Sequence, residues 1–133
     1  MDVIKIYTDG AYSSSRNQGG WAFVAILNNE EIFKSFGSAL NTTNNRMEIM
    51  ACLEALKWAR DKEVTIYSDS MYVIGTMTKN WKRKKNSDLW IKMDEAVKSV
   101  NISWEHVKGH SGNKWNDVCD VLAVHGSQIN IKQ

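Results

Sequence analysis

The sequence lacks long apolar segments, a secretory signal and the cysteines of a disulfide-stabilised fold. No apolar run approaches the ~18 residues that a membrane-spanning helix requires, and the amino terminus has no basic stretch followed by an apolar one. The two cysteines, Cys52 and Cys119, lie in apolar, helix-like surroundings, which favours reduced thiols in a core. We therefore expect a cytoplasmic protein with no membrane partner. Proline is also absent, but that absence excludes no fold class.

A strong net charge is missing too, yet the charge is unevenly distributed. Residues 79–85, KNWKRKK, hold five of the 17 basic residues and no acidic one, so the rest of the chain carries a net charge of −3. A basic segment that contains a tryptophan, on a mildly acidic protein, suits a nucleic-acid backbone. A solvated lysine-rich surface would give the same pattern, so the charge alone assigns no function.

The composition, 43% hydrophobic and 24% charged over 133 residues, is typical of a globular protein, and we expect one domain over residues 1–133. Alternating patterns predict strands that begin near residues 2, 19, 31, 64 and 102. Helical periodicity predicts four helices. They run from a cap at Thr42 or Thr43 to Arg60, from near Ser70 towards the basic segment, over residues 88–100 and over residues 114–126.

These elements predict an α/β fold with a mixed five-stranded sheet flanked by helices. Strands 1 to 3 form an antiparallel meander, because only short polar turns separate them, and strands 4 and 5 are expected to be parallel.

Acidic residues stand at the ends of several predicted elements. Asp9 is placed at the end of strand 1 and Asp69 at the end of strand 4, so in parallel neighbouring strands their carboxylates share one edge of the sheet. Glu48 lies about one turn into the first helix and can point to the same edge, and Asp120 lies in the last helix. Any one of them alone is more typical of a helix cap or a surface charge. Crowded together they would need a cation, and carboxylate oxygens favour Mg²⁺ or Mn²⁺ over zinc.

Four blocks of the sequence, TDGAY, TTNNRMEIMA, YSDSMYVI and VKGHSGNKWNDVCDVLA, resemble in order the acidic blocks of type 1 ribonuclease H. The resemblance covers nearly the whole chain. It implies a ribonuclease H-like fold and endonucleolytic cleavage of the RNA strand of an RNA/DNA hybrid, with 5′-phosphate and 3′-hydroxyl products. The implied ligands of two Mg²⁺ ions, for which Mn²⁺ is the expected substitute, are Asp9, Glu48, Asp69 and Asp120.

Two acids of the last helix compete for the fourth position. Asp117 and Asp120 are three residues apart and face a similar side of the helix, so periodicity does not choose between them. The family pattern places its acid two residues before Leu-Ala, which here is Asp120, ahead of Leu122 and Ala123.

In the family's mechanism, Asp9 bridges the two ions. The ion held with Asp120 activates the attacking water, and the ion held with Glu48 and Asp69 stabilises the leaving 3′ oxygen. His110, in KGHSG, matches the family's loop histidine and is expected to assist proton transfer or product release. Without that resemblance it would be a surface histidine. His106 and His125 are assigned no role.

The resemblance also implies the contacts with the hybrid. Recognition of 2′-hydroxyls falls to the backbone around Gly10 to Tyr12 and to Asn44 and Asn45, which could instead simply open the helix. Thr43 would hold a phosphate of the DNA strand. The basic segment is expected to lie along the DNA strand through Trp81, Lys82, Arg83, Lys84 and Lys85.

Two departures from familiar bacterial members concern the substrate. The basic protrusion is shortened to KNWKRKKN, which predicts a weaker or more salt-sensitive grip on the hybrid. Met71 stands where those members often carry a glutamine that contacts the substrate, so one hydrogen bond in the minor groove is expected to be missing.

Two other functions compete with this interpretation. A resolvase or integrase core of the same fold superfamily would have fewer acids and no TTNNRME block. A module that binds hybrids without cutting them would not need mutually repelling carboxylates. The sequence shows no heptads and no symmetric patch, so a monomer is expected.

Overall fold

A computed structural model describes residues 3–109 and 112–131 of the chain. Its elements begin with three strands, which four helices and two further strands follow. In chain order they are β1 (Ile4–Ser13), β2 (Gln18–Leu27), β3 (Glu30–Leu40), α1 (Asn44–Trp58), β4 (Glu63–Ser68), α2 (Met71–Thr78), α3 (Ser87–Val97), β5 (Asn101–His106) and α4 (Lys114–Gln128).

The five strands form one mixed sheet in the order β3-β2-β1-β4-β5. β1, β2 and β3 are antiparallel neighbours, whereas β4 is parallel to both β1 and β5. Asn28 and Asn29 connect β2 to β3 and both have positive φ, as a tight two-residue hairpin turn requires. The predicted mixed sheet, with its antiparallel meander and parallel strands, is confirmed.

The helices cover the two faces of the sheet and bury a cluster of apolar side chains on each. One cluster joins α1 and α3 to the sheet and contains Ile6, Cys52 and Trp90. The other joins α4 to the opposite face and contains Tyr7 and Cys119. Both cysteines are free and buried, as predicted, and burial raises the pKa of the Cys52 thiol to about 12.

Several boundaries differ from the prediction. β1 begins at Ile4 rather than near residue 2, α1 ends at Trp58 rather than Arg60, α3 ends at Val97 rather than residue 100, and α4 ends at Gln128 rather than residue 126. Thr43, one of the two proposed caps, is the N-cap of α1, and its hydroxyl accepts a hydrogen bond from the amide of Arg46 at 3.1 Å. Within the described part of the chain, none of the helices has both the length and the apolar character needed to cross a membrane.

Candidate metal centre and nucleic-acid interface

Asp9 and Asp69 are brought together by the register of β1 and β4. The parallel pairing of these strands ends at Thr8 and Ser68, the residues that directly precede the two aspartates. The prediction that Asp9 ends its strand is wrong. β1 continues past Asp9 in antiparallel pairing with β2, where Asp9 lies opposite Ala22. It stands instead where the parallel pairing stops, which leaves both carboxylates at the same edge.

Glu48 reaches the same point because α1 packs directly on the backbone of β1. A Cβ atom added to Gly10 would lie 2.5 Å from the Glu48 amide nitrogen, so only a glycine lets the helix approach this closely. The carboxylates of Asp9, Glu48 and Asp69 each offer an oxygen within 4.8 Å of the others. Asp9 and Glu48 are only 4% and 6% exposed, so this cluster is largely withdrawn from water.

Burial and mutual repulsion disfavour the ionised form of these acids. Desolvation, followed by the charge of Asp69 and a hydrogen bond from the side chain of Asp120, raises the pKa of Asp9 to about 8. Burial and the charges of Asp9 and Asp69 raise the pKa of Glu48 well above its usual range. Glu48 Oε1 is buried and has no hydrogen-bond partner among the residues that the structure describes.

This donor set fits a divalent cation. All three groups offer carboxylate oxygens, the ligands that Mg²⁺ and Mn²⁺ prefer. A bound cation would favour the ionised carboxylates that burial and repulsion now disfavour, and it would supply the missing partner of Glu48 Oε1. The chemistry of the cluster therefore matches the predicted metal site.

α4 places Asp120 and Asp117 differently with respect to the cluster. The side chain of Asp120 is half-buried and hydrogen-bonded to Asp9, and it contributes to the raised pKa of Asp9. Asp117, one helical turn earlier, is exposed. The structure thus distinguishes two residues that periodicity could not. Asp120 interacts with Asp9, although it lies outside the group of Asp9, Glu48 and Asp69 whose oxygens are within 4.8 Å of one another.

The loop that follows β5 also approaches the cluster. His110 lies outside the described residues, but its neighbour Gly109 is so close to Asp69 that an added Cβ would be 2.8 Å from Asp69 Oδ2. A ring nitrogen of His106, at the end of β5, lies 3.3 Å from the backbone carbonyl oxygen of Asp69. The sequence assigns His106 no role, and its contact with Asp69 follows from its position at the end of β5, next to β4.

The residues proposed to contact RNA lie beside the acidic cluster. Gly10 directly follows Asp9, and Tyr12 is exposed with its hydroxyl donating to Asn17 Oδ1 at 2.8 Å. Asn44 and Asn45 form the exposed first turn of α1, immediately after the Thr43 cap. They open the helix and are exposed at the surface, so the predicted contact with RNA stays a prediction.

The basic segment, residues 79–85, connects α2 to α3 together with Asn86 and has no helix or strand of its own. Trp81 is 44% exposed and its ring lies against Gly75, where an added Cβ would be 2.4 Å from it. Arg83 forms an ion pair with Asp94 of α3. Three lysines of the segment border a cavity of about 260 Å³, which is lined by Asn45, Tyr72, Lys82, Lys84, Lys85 and Asn86.

Arg46 joins α1 to the end of the basic segment and to the start of α3, contacts that the sequence did not reveal. It lies on α1 two residues before Glu48 and donates two hydrogen bonds to Asp88, of 3.0 and 2.8 Å. These bonds lower the pKa of Asp88 to about 2. Arg46 also donates to Asn86 Oδ1 at 3.2 Å, at the end of the basic segment.

Comparison with known proteins shows a single family. The family model for RNase H matches residues 1–128. A ribonuclease H of Thermoanaerobacter sp. strain X514 is 39% identical over all of this chain and 95% of its own length. A ribonuclease H of Treponema denticola is 37% identical over 94% of this chain and 97% of its own.

Solved structures share the fold at lower identity. The amino-terminal ribonuclease H domain of a Mycobacterium tuberculosis protein superposes with a TM-score of 0.82 at 20% identity, covering 96% of this chain and 94% of that domain's chain. LC9-RNase H1, a type 1 enzyme, gives a TM-score of 0.80 at 24% identity and covers 96% and 72%. With the family model and the full-length relatives, these findings establish that the chain belongs to the ribonuclease H family of metal-dependent endonucleases, which act on the RNA strand of RNA/DNA hybrids.

Proposed function

We propose that this protein hydrolyses the RNA strand of RNA/DNA hybrids with two divalent metal ions and leaves 5′-phosphate and 3′-hydroxyl ends. The observation that carries the proposal is the convergence of Asp9, Glu48 and Asp69. Their carboxylate oxygens lie within 4.8 Å of one another; Asp9 and Glu48 are buried and Asp69 is half-buried. Family membership supplies the substrate class.

The ions are held by Asp9, Glu48, Asp69 and Asp120. Mg²⁺ is the natural ion on the basis of the all-oxygen ligand set, and Mn²⁺ substitutes for it. When bound, the two ions supply an activated water and stabilise charge on the attacking and leaving oxygens. Asp9 is central among the acids, because both Asp69 and Asp120 raise its pKa. By the family likeness, it would contribute to holding both ions.

The protein's own residues prepare the site before any ion arrives. The contact between Gly10 and α1 fixes how closely Glu48 approaches β1. The end of the parallel pairing between β1 and β4 places Asp9 next to Asp69. Preorganised ligands of this kind need no rearrangement during the reaction. His110, next to Gly109 on the loop that reaches Asp69, assists by moving a proton or by helping the product leave.

The hybrid lies across the acidic cluster and the start of α1. Gly10, Tyr12, Asn44 and Asn45 contact the 2′-hydroxyls of the RNA strand, and Thr43 holds a phosphate of the DNA strand. The basic segment, with Trp81, Lys82, Arg83, Lys84 and Lys85, follows the DNA strand. The protein works as one domain and as a monomer, in the cytoplasm.

A panel of substrates tests the proposal. The protein is incubated with RNA/DNA hybrid, duplex DNA and duplex RNA, each with Mg²⁺ or with EDTA, and the ends of any product are identified. The expected result is cleavage of only the RNA of the hybrid, only with Mg²⁺, giving 5′-phosphate ends. Cleavage of duplex DNA would instead indicate another nuclease of the superfamily, and retention of the hybrid without cleavage would indicate a binding module.

A further inference from the structure

The basic segment depends on side-chain anchors because it has no regular secondary structure. Near its start, the ring of Trp81 rests on Gly75 of α2. At its end, Asn86 has φ +64° and its side-chain amide donates to the Tyr72 hydroxyl at 3.0 Å. Between these two points lie the four consecutive cations of residues 82–85, and only a contact made within that stretch can define where they point.

Arg83 makes that contact. Its Nη1 donates to Asp94 Oδ2 at 2.5 Å, and its Nη2 lies 3.9 Å from Met77 Sδ. Its guanidinium carbon is 5.4 Å from the ring centroid of Trp90, which is only 1% exposed. One edge of the guanidinium therefore faces a carboxylate and one face covers an aromatic ring of the core, an arrangement that Arg supports and Lys does not.

The three lysines of the same stretch are placed differently. Lys82, Lys84 and Lys85 are exposed and take part in no salt bridge among the described residues. All three line the cavity that Asn45 borders, and Asn45 stands three residues before Glu48 on α1. Three unpaired ammonium groups beside a proposed RNA contact are suited to the phosphates of a nucleic-acid backbone.

We propose that Arg83 is a positioning residue rather than a phosphate ligand, and that its contacts with Asp94 and Trp90 hold Lys82, Lys84 and Lys85 at the cavity beside Asn45, where they bind backbone phosphates of the hybrid. The inference rests on the proposed function and refines the part that the basic segment plays in it. It divides four adjacent cations, which the sequence does not distinguish, into one that binds the protein and three that bind the substrate.

The replacement Asp94→Ala separates the two roles because they predict changes of opposite sign. If Arg83 positions the segment, loss of Asp94 releases the segment, and KM for the hybrid rises roughly fivefold, as expected for the loss of one exposed ion pair. If Arg83 were a phosphate ligand, loss of the competing carboxylate would free it, so KM would fall and the salt dependence would steepen. A fall in KM would overturn the inference.

Glu95→Ala is the matched control for the change in net charge. Glu95 is the next residue of α3. Its Oε2 forms a salt bridge with Lys98 Nζ at 3.1 Å, away from the basic segment. This variant removes the same charge, and we expect it to leave KM unchanged or slightly lower. A rise equal to that of Asp94→Ala would show that the ion pair with Arg83 is not the cause, and would overturn the inference.

Variants of Arg83 and a lysine complete the test, with kcat and KM measured over a range of KCl concentrations. Arg83→Lys keeps the charge but loses the planar contacts, so we expect the same rise in KM as in Arg83→Ala, with kcat unchanged. The double variant of Arg83→Lys with Asp94→Ala should show no further rise in KM. Lys84→Ala should reduce the slope of log affinity against log salt by about 1. Normal KM in Arg83→Lys would contradict positioning. Absence of hybrid cleavage by the parent protein would instead refute the proposed function itself.

Discussion

Thr8 and Ser68 form the last register pair between β1 and β4. The residues that follow them, Asp9 and Asp69, therefore have their carboxylates side by side where the parallel pairing ends. Parallel strands present their carboxyl ends at one edge, which is why acids 60 residues apart in sequence share a site. The site therefore depends on strand register as much as on the identity of the acids.

Replacement of Asp9 by Asn should abolish cleavage and yet stabilise the metal-free fold. Asn keeps the size of the side chain but removes both a metal ligand and a buried charge whose pKa is raised to about 8. We expect no hybrid cleavage with Mg²⁺ and a higher Tm in EDTA at pH 8. Turnover close to that of the parent protein would refute the assignment of Asp9 as a ligand.

The stability of the metal-free protein should fall as pH rises. The pKa of Asp9 is about 8 in the folded protein and 3.8 for an unperturbed Asp, so between these values the folded state binds a proton that the unfolded chain has released. The free energy of unfolding contributed by this group is therefore greatest below pH ~4 and is lost as pH approaches ~8. Urea unfolding in EDTA at several pH values measures the slope.

Asp9→Asn is the control for that measurement, since other groups also titrate. The difference in unfolding free energy between the variant and the parent protein should grow in the variant's favour from pH 4 to pH 8. Parallel pH profiles for the two proteins would show that Asp9 is not protonated in the folded state.

The two acids of α4 should differ in their effect on cleavage. Asp120 is hydrogen-bonded to Asp9, whereas Asp117 is exposed one turn away. We expect Asp120→Asn to lower kcat by about two orders of magnitude or more, as removal of an electrostatic group at a reacting centre does. Asp117→Asn, the matched control on the same helix, should keep kcat within a few-fold. The reverse order would place the fourth acid at Asp117.

Gly10→Ala should damage both stability and the acidic cluster. The new Cβ would lie 2.5 Å from the Glu48 amide nitrogen and 2.6 Å from the Met47 carbonyl carbon, both rigid backbone atoms, so α1 must move away from β1. Overpacking of this kind costs about 1–3 kcal/mol. Denaturant unfolding should show that loss, and kcat should fall because Glu48 is displaced. Unchanged stability and kcat would mean that the helix contact does not set the position of Glu48.

Removing the three lysines of the basic segment should weaken binding through charge alone. Lys82, Lys84 and Lys85 line one cavity and have no salt-bridge partner among the described residues. Replacing all three by Ala should raise KM and reduce the salt slope by about 3, if each contacts one phosphate. An unchanged slope would show that the lysines form only a solvated surface.

Much of the fold could be predicted from local patterns. The strand alternation and a helix cap at Thr42 or Thr43 are encoded within a few residues. The structure confirms the strands and selects Thr43 as the cap. The meeting of Asp9 with Asp69 followed from the expectation that β1 and β4 are parallel neighbours. Family blocks around these residues indicated the chemistry.

The remaining features depend on contacts between distant segments, which periodicity does not report. The choice of Asp120 over Asp117 depends on how α4 packs against β1. The pairing of Arg83 with Asp94 depends on the path of a segment without regular structure, and in the sequence Arg83 is one of four adjacent cations. The bond between His106 and the Asp69 carbonyl likewise arises only when β5 joins the sheet.

Calorimetric titration with Mg²⁺ at pH 8 tests most directly whether the buried acids form a divalent-cation site. We expect the parent protein to bind Mg²⁺ with release of protons, because Asp9 and Glu48 must ionise to become ligands, and we expect Asp9→Asn to lose that binding. Equal binding heats and proton release from the parent protein and Asp9→Asn would contradict the proposed metal centre.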